Sequence, residues 1–427
     1  MSGFNRVGKI ALLCWCVSAL AIARPAAAQG SADVVLEWNR ILIAALNVPG
    51  ANPATVFVTR PSAIMQIAVF DALNSIDFQY QPYAVRATVA PGASRDVAAA
   101  QAAHDVLAAL LPSLKSTFDA ALAATVARTD AAAAAAGSAV GSTAASAILA
   151  ARANDGWNHV AGPYILPDLP GNWQSTPPAN VPATFVQYQD VQGFILPSAR
   201  SLLVEPPPAL TSARYAADFN ETKSIGSATS TTRTSEETAI ANTWASVGNT
   251  TNPIAAWNVA MQDLTRSQNL DGLSAARMFA LVNMAMHDGL WVTFTGKFNY
   301  GLWRPVTAIR EAARDGNAAT EADPSWLPLL VTPPYPSYPG NMTCVGISAA
   351  QTLTRVLGRD NIPFSIAWTA VSGPNVVRSY NGLRQAADEE ARSRVLGGIH
   401  FTFDNDASKG VCTVLGDYAS ANYLYKR

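Results

Sequence analysis

Apolar residues recur at three- and four-residue intervals along most of the chain and alternate convincingly nowhere, so the pattern predicts an all-α fold without strands. From Ser94 to Ala153 alanine dominates, and Pro112 divides the stretch into two helical segments. The polar, Pro-rich and Gly-rich sequence from Gly156 to Pro208 lacks the charge runs of disordered chains and reads as an ordered wrapping loop. Helical pattern returns at Ser235-Glu236-Glu237 and continues through Ala255 to Ser267. From Leu273 to Val292 it is apolar almost all round, which places that helix in the core. A short helix is expected after Arg304-Pro305, since proline suits a first helical turn. Six prolines then make a loop of Pro324 to Pro339, and helices follow near Cys344 to Leu357, Ser379 to Val395 and Phe403 to Tyr425. Two apolar stretches echo each other, Ile67-Ala68-Val69-Phe70-Asp71-Ala72-Leu73 and Met284-Ala285-Met286-His287-Asp288-Gly289-Leu290. Two similar buried helices and a chance likeness account for the echo equally well.

The first residues change the picture of where the chain works. Arg6 and Lys9 precede an apolar run from Ile10 to Ala23, and Ala26-Ala27-Ala28 offers a small-residue cleavage site, so residues 1–28 are expected to be a secretory signal peptide. The run is shorter than the roughly 20 apolar residues of a spanning helix, and no other stretch is expected to reach that length without charge. An exported protein, periplasmic or secreted, with no integral membrane segment after cleavage is the expectation. Residues 29–427 are then one large helical domain. Residues 29–230 supply supporting helices and the wrapping loop, and 231–427 form a core bundle carrying the chemistry.

With 29 Lys and Arg against 30 Asp and Glu, there is no basic field to attract nucleic acid, and an anion site would have to be local. Cys14 and Cys16 leave with the signal peptide. Cys344 and Cys412 remain, as a disulfide closing a 68-residue loop or as two buried thiols.

Three segments concentrate the unusual residues. Lys297 and Arg304, seven positions apart between two helices, could clamp an oxyanion, the arginine through its planar fork and the lysine as a point charge. Taken alone, such cations are usually solvated or pair with a helix end. Pro336-Ser337-Tyr338-Pro339-Gly340-Asn341-Met342-Thr343-Cys344 is a turn feeding a helix. Its free N–H groups could face an anion, or it could be a plain turn capped by Asn341 or Thr343. In the third segment Ser393-Arg394 ends a helix, Gly397-Gly398 allow close backbone approach, and Asp404 lies one turn beyond His400. There the carboxylate could accept the ring N–H and fix the tautomer.

Lys297-x6-Arg304-Pro305, then a Pro/Gly turn, then Ser393-Arg394-x3-Gly398-x-His400-x3-Asp404 resembles the ordered signature of the vanadium haloperoxidase and type 2 phosphatidic acid phosphatase superfamily. WRPVTAIR and GGIHFTFDND are similar to its bacterial haloperoxidase-like branch, as are AVFDALNSIDFQYQPY and PPPALTSARYAADFNETK, so the likeness spans nearly all the mature chain. The resemblance implies a large helical bundle in which Lys297, Arg304 and Arg394 hold phosphate or vanadate oxygens. His400 is then the vanadium ligand or the nucleophile toward phosphorus, and Asp404 orients it. Backbone N–H groups at Gly340 and Asn341 would complete the pocket.

The middle motif departs from the family, where it ends Ser-Gly-His; here the positions read Gly340-Asn341-Met342. Methionine supplies no proton, a loss worth about a hundred- to ten-thousand-fold where acid catalysis is needed. His287, ten residues before Lys297, is a substitute donor only if it faces the pocket, and a core histidine is the plainer reading. Two functions remain. One is an exported enzyme acting on a small anionic substrate, a phosphoester, or on peroxide and halide with vanadate as cofactor. The other is a catalytically impaired member that serves as an oxyanion-binding or scaffold protein. An oxidisable Met342 and a nearby cysteine rank phosphate chemistry above peroxidase turnover at this point.

Overall fold

A computed structural model describes residues 32–51, 55–245, 252–370 and 374–427; the expected signal peptide lies outside them. The N-terminal half carries α1 (Asp33–Leu46), α2 (Thr59–Asp77), α3 (Arg95–Leu110), α4 (Lys115–Ala127) and α5 (Ala131–Ala151). After the wrapping loop come α6 (Ala213–Ile225), α7 (Ser235–Trp244), α8 (Pro253–Ser267), α9 (Gly272–Tyr300) and α10 (Pro305–Arg310). The chain closes with α11 (Asn341–Leu357), α12 (Leu383–Leu396) and α13 (Thr402–Asn422).

The alanine-rich stretch forms three helices, one more than its proline divides. The Asp130 side chain accepts from the N–H groups of Ala132 and Ala133 and starts a new helix that propensity alone would have run through. That helix, α5, is 21 residues without a charged side chain, so the expectation that no stretch beyond the expected signal peptide reaches such a length fails there. By length and composition, Val56–Asp77 and Ala131–Ala151 could each cross a membrane; 94% of the first is buried inside the fold, and the second packs along α3 and α2.

The one β element among the described residues corrects the expectation of no strands. β1 (Phe364–Trp368) pairs antiparallel with β2 (Val376–Tyr380), Phe364 opposite Tyr380. Phe364, Ile366 and Trp368 turn inward while Ser365 and Ala367 do not, an alternation too short to stand out against the helical pattern. The strand β2 also occupies residues expected to begin the next helix, which therefore starts at Leu383 instead of Ser379.

The centre of the fold is α9, buried almost continuously and packed on α2, α11 and α13. Asp271 caps its start by accepting from the Ser274 N–H, and Gly301, in the left-handed region, ends it just before Arg304. The echo between α2 and α9 has a physical counterpart. Asp71 accepts the backbone N–H groups of Tyr83, Ala84 and Val85, and Asp288 accepts those of Phe194, Ile195 and Leu196. Each buried carboxylate thus pins a stretch of irregular chain to a core helix, satisfying amides that would otherwise be stranded.

Candidate oxyanion pocket

The three sequence segments meet where α9 gives way to α10, the Pro336–Gly340 turn feeds α11, and α12 turns into α13. Arg304 is fully buried. Its Nε donates to Tyr335 O at 2.7 Å and its Nη1 to Ile399 O at 2.7 Å, and Nη1 also lies 3.1 Å from His400 Nε2. The Tyr335 ring lies 4.8 Å from the guanidinium carbon.

His400 is held from its other side, Nδ1 standing 2.8 Å from Asp404 Oδ2. That oxygen also accepts from Ser337 Oγ at 2.5 Å and from the Phe401 N–H at 3.1 Å. Arg304 can only donate, so the network assigns the ring its tautomer: the proton sits on Nδ1 toward Asp404 and Nε2 carries a lone pair. Burial, then the charges of Arg304, Lys297 and Arg394, holds the imidazole well below its usual range, which keeps it neutral. Burial raises Asp404 to about 6, opposed by the Ser337 hydrogen bond and by Lys297. Gly398 makes the turn before His400 feasible: its φ is 73°, and a Cβ there would lie 2.3 Å from Gly226 O.

The remaining cations differ in what they leave free. Lys297 directs its ammonium at the carbonyls of Pro336 (3.0 Å), Ser337 (2.6 Å) and Pro339 (2.6 Å), so its three N–H donors are spent on the turn. The lysine ties the middle segment to α9 and contributes positive potential, while burial and then Arg304 push its pKa well down. Arg394 donates Nε to Ser393 Oγ at 3.1 Å. The Nη2 groups of Arg304 and Arg394 and the Nδ2 of Asn341 are buried without a hydrogen-bond partner. Burial lowers Arg304 to about 10, still protonated at neutral pH.

Gly340 caps α11 without a side-chain bond, and its N–H donates to Asp404 O at 2.9 Å, so it is not offered to a ligand. Thr343 does not cap either; its hydroxyl donates to Asn405 Oδ1. Asn341, first residue of the helix, contributes its unpaired side-chain amide. Met342 lines a cavity of about 470 Å³ whose walls include Phe185, Ile254, Leu330 and Tyr335, with Arg394 and Asn341 also among its lining. Cys344 and Cys412 form a disulfide, Cα to Cα 5.3 Å, joining α11 to α13 behind the pocket. His287 lies on the α2 side of α9, Nδ1 3.2 Å from Thr59 Oγ1 and its ring against Phe194, as a core histidine.

Residues 277–425, which include Lys297, Arg304, Ser337, Asn341, Met342, Arg394, His400 and Asp404, match the family model of the second helical-bundle domain of VCPO. Across the larger part of the chain, the crystal structure of a bacterial vanadium-dependent iodoperoxidase superposes with a TM-score of 0.79 at 22% identity, covering 93% of this chain and 97% of that one. The chain has the fold of the vanadium-dependent haloperoxidases. The apo form of a bacterial vanadium-dependent chloroperoxidase agrees, with a TM-score of 0.71 at 17% identity over 88% of this chain and 95% of that one. Vanadium chloroperoxidase from Curvularia inaequalis is 24% identical over 194 residues, 35% of this chain, and the match spans only 31% of that relative's length. The resemblance first carried by the motifs is therefore shown, and the helical-bundle fold with it.

Two residues in and behind the candidate pocket escape a reading of the sequence. Ser337 reads as part of a turn without a role, and nothing in its spacing announces the bond to Asp404. Glu390 is buried one helical turn before Arg394, and the Glu-to-Arg i,i+4 spacing in ADEEARSR is a readable signal.

Proposed function

We propose that the protein is an exported, vanadate-binding peroxidase acting on hydrogen peroxide and a halide. The observation that carries the proposal is His400: a neutral imidazole whose Nδ1–H is fixed by Asp404 and whose Nε2 lone pair faces buried guanidinium donors. These residues fit vanadate. Arg304, Arg394 and Asn341 have donors to spare that would hold its oxygens, Lys297 would add charge, and His400 Nε2, now 3.1 Å from Arg304 Nη1, would be the ligand for the metal. Vanadate, when bound, supplies an electrophilic centre that activates peroxide toward two-electron oxidation of the halide. The chain's own residues bind and orient the oxyanion, and burial of the arginines strengthens their hold on it.

Phosphoester hydrolysis on the same pocket is the second reading. It asks for an acid to protonate the leaving oxygen, and Met342 supplies none. Oxidation of halide by peroxide also consumes a proton per turnover, but solvent can deliver it through the cavity over Met342. The disulfide removes one of the two objections to an oxidant, since Cys344 is not a free thiol. The mostly apolar approach favours weakly hydrated anions, which lose least on leaving water, so iodide is expected ahead of bromide and chloride.

The test is to load the purified protein with orthovanadate and measure triiodide formation from iodide and peroxide, beside hydrolysis of p-nitrophenyl phosphate by the metal-free protein. Iodide oxidation that falls as pH rises is expected. Hydrolysis without iodide oxidation would replace this reading by the second. Binding without either would leave an oxyanion-binding protein that has lost turnover.

A further inference from the structure

Glu390 stands behind the pocket in a position that no part of the proposed chemistry uses. It is 1% exposed, on α12 four residues before Arg394, so the two side chains share a helix face. One carboxyl oxygen accepts from Trp257 Nε1 of α8 at 2.8 Å, and the other, Oε1, has no partner. Space for the carboxyl is made by Gly346 of α11, where a Cβ would lie 2.4 Å from Oε2. Gly346 follows Met342 by one turn on α11, as Glu390 precedes Arg394 by one turn on α12. Anchored on Trp257, the carboxyl makes no ion-pair contact with Arg394, whose Nη2 stays free.

The other charged groups along α12 are engaged elsewhere. Asp388 meets Lys409 of α13 and Arg384, Glu389 meets Arg378 of β2 and Trp244 Nε1 of α7, and Arg392 meets Glu221 of α6. On α7, Glu236 binds Arg378 and Glu237 closes the capping box with Thr234, while on α11 Arg355 binds Asp417. Among the described residues, Arg394 is the charge that acts on Glu390. Burial raises this carboxyl to about 8, opposed by the Trp257 bond and by Arg394, so its charge is poised to change near neutral pH.

Resting on the oxyanion reading of the pocket, we propose that Glu390 is a proton-linked counter-charge of Arg394. Wherever the pH leaves it ionised beside an arginine that faces no anion, it takes up a proton when a dianion occupies the arginine's free side. Two negative charges flanking one buried guanidinium is the arrangement that protonation avoids. The glutamate is a positioning residue, and by reciprocity the same linkage makes oxyanion affinity fall as pH rises through the glutamate's range.

The experiment is calorimetric titration with molybdate, which stays a tetrahedral dianion across the range where phosphate and vanadate themselves titrate. It is run at about pH 7 and 9 in buffers of different ionisation enthalpy, with wild-type protein and Glu390→Gln. Glutamine keeps an acceptor for Trp257, and a melting curve establishes that the variant is folded. Wild type is expected to take up a fraction of a proton on binding and to lose about threefold to tenfold in affinity between the two pH values. In Glu390→Gln the uptake should vanish and the affinity stay flat. Wild-type binding without proton uptake overturns the proposal. So does uptake that survives in the variant, since the proton then goes to Lys297, His400 or Asp404. Absence of molybdate binding in wild type removes the oxyanion pocket itself and this linkage with it, a failure distinguishable from the others.

Discussion

At the scale of single residues, the pocket is a set of donors sorted by what each has left to give. Lys297 has spent its hydrogen bonds on three carbonyls, Gly340 has spent its amide on Asp404, and Arg304, Arg394 and Asn341 each keep one buried nitrogen free. The spacing of the motifs in the sequence already grouped most of these residues. It could not show this sorting, which depends on where the Pro-rich turn passes beneath the ammonium. Position 342 is where chemistry is missing. If its proton deficit limits turnover, Met342→His should raise vanadate-dependent iodide oxidation at least about tenfold, the lower part of what a positioned acid contributes. Steady-state rates of the two proteins at equal vanadate saturation check this, and an unchanged rate would mean that solvent already serves as well.

At the scale of elements, most helices were legible because they are long and their apolar residues keep helical spacing. α1 and α6 escape a reading of the sequence, and two further failures have local causes: the Asp130 cap inside uninterrupted alanine, and a five-residue strand pair whose alternation is too brief to register. The resemblance between α2 and α9 was ambiguous in sequence and becomes specific in the structure, since Asp71 and Asp288 each gather three consecutive backbone amides. That use carries a stability prediction. Asp288→Asn replaces an acceptor oxygen by a donor facing amide hydrogens, and should cost about 2 to 3 kcal/mol in urea unfolding. A loss below about 0.5 kcal/mol would show that the Phe194–Leu196 segment is held by other contacts. The segment packs against α9 and His287, so the variant should also loosen the wrapping loop, read as increased amide exchange there.

At the scale of the whole molecule, the N-terminal half and the wrapping loop brace α9, whose far end delivers Lys297 and Arg304. α11, α12 and α13 close the other side, with Cys344–Cys412 tying α11 to α13. A fold of this kind hosts more than one chemistry, so the functional account rests on the pocket and not on the architecture. Its central claim is that the buried donors and the His400 lone pair form one oxyanion site. Titration of the purified protein with orthovanadate by calorimetry, beside His400→Ala, tests this most directly. One site per chain in wild type, weakened at least about tenfold in the variant, is the predicted result. Absence of binding in wild type, or binding that His400→Ala leaves unchanged, would contradict it.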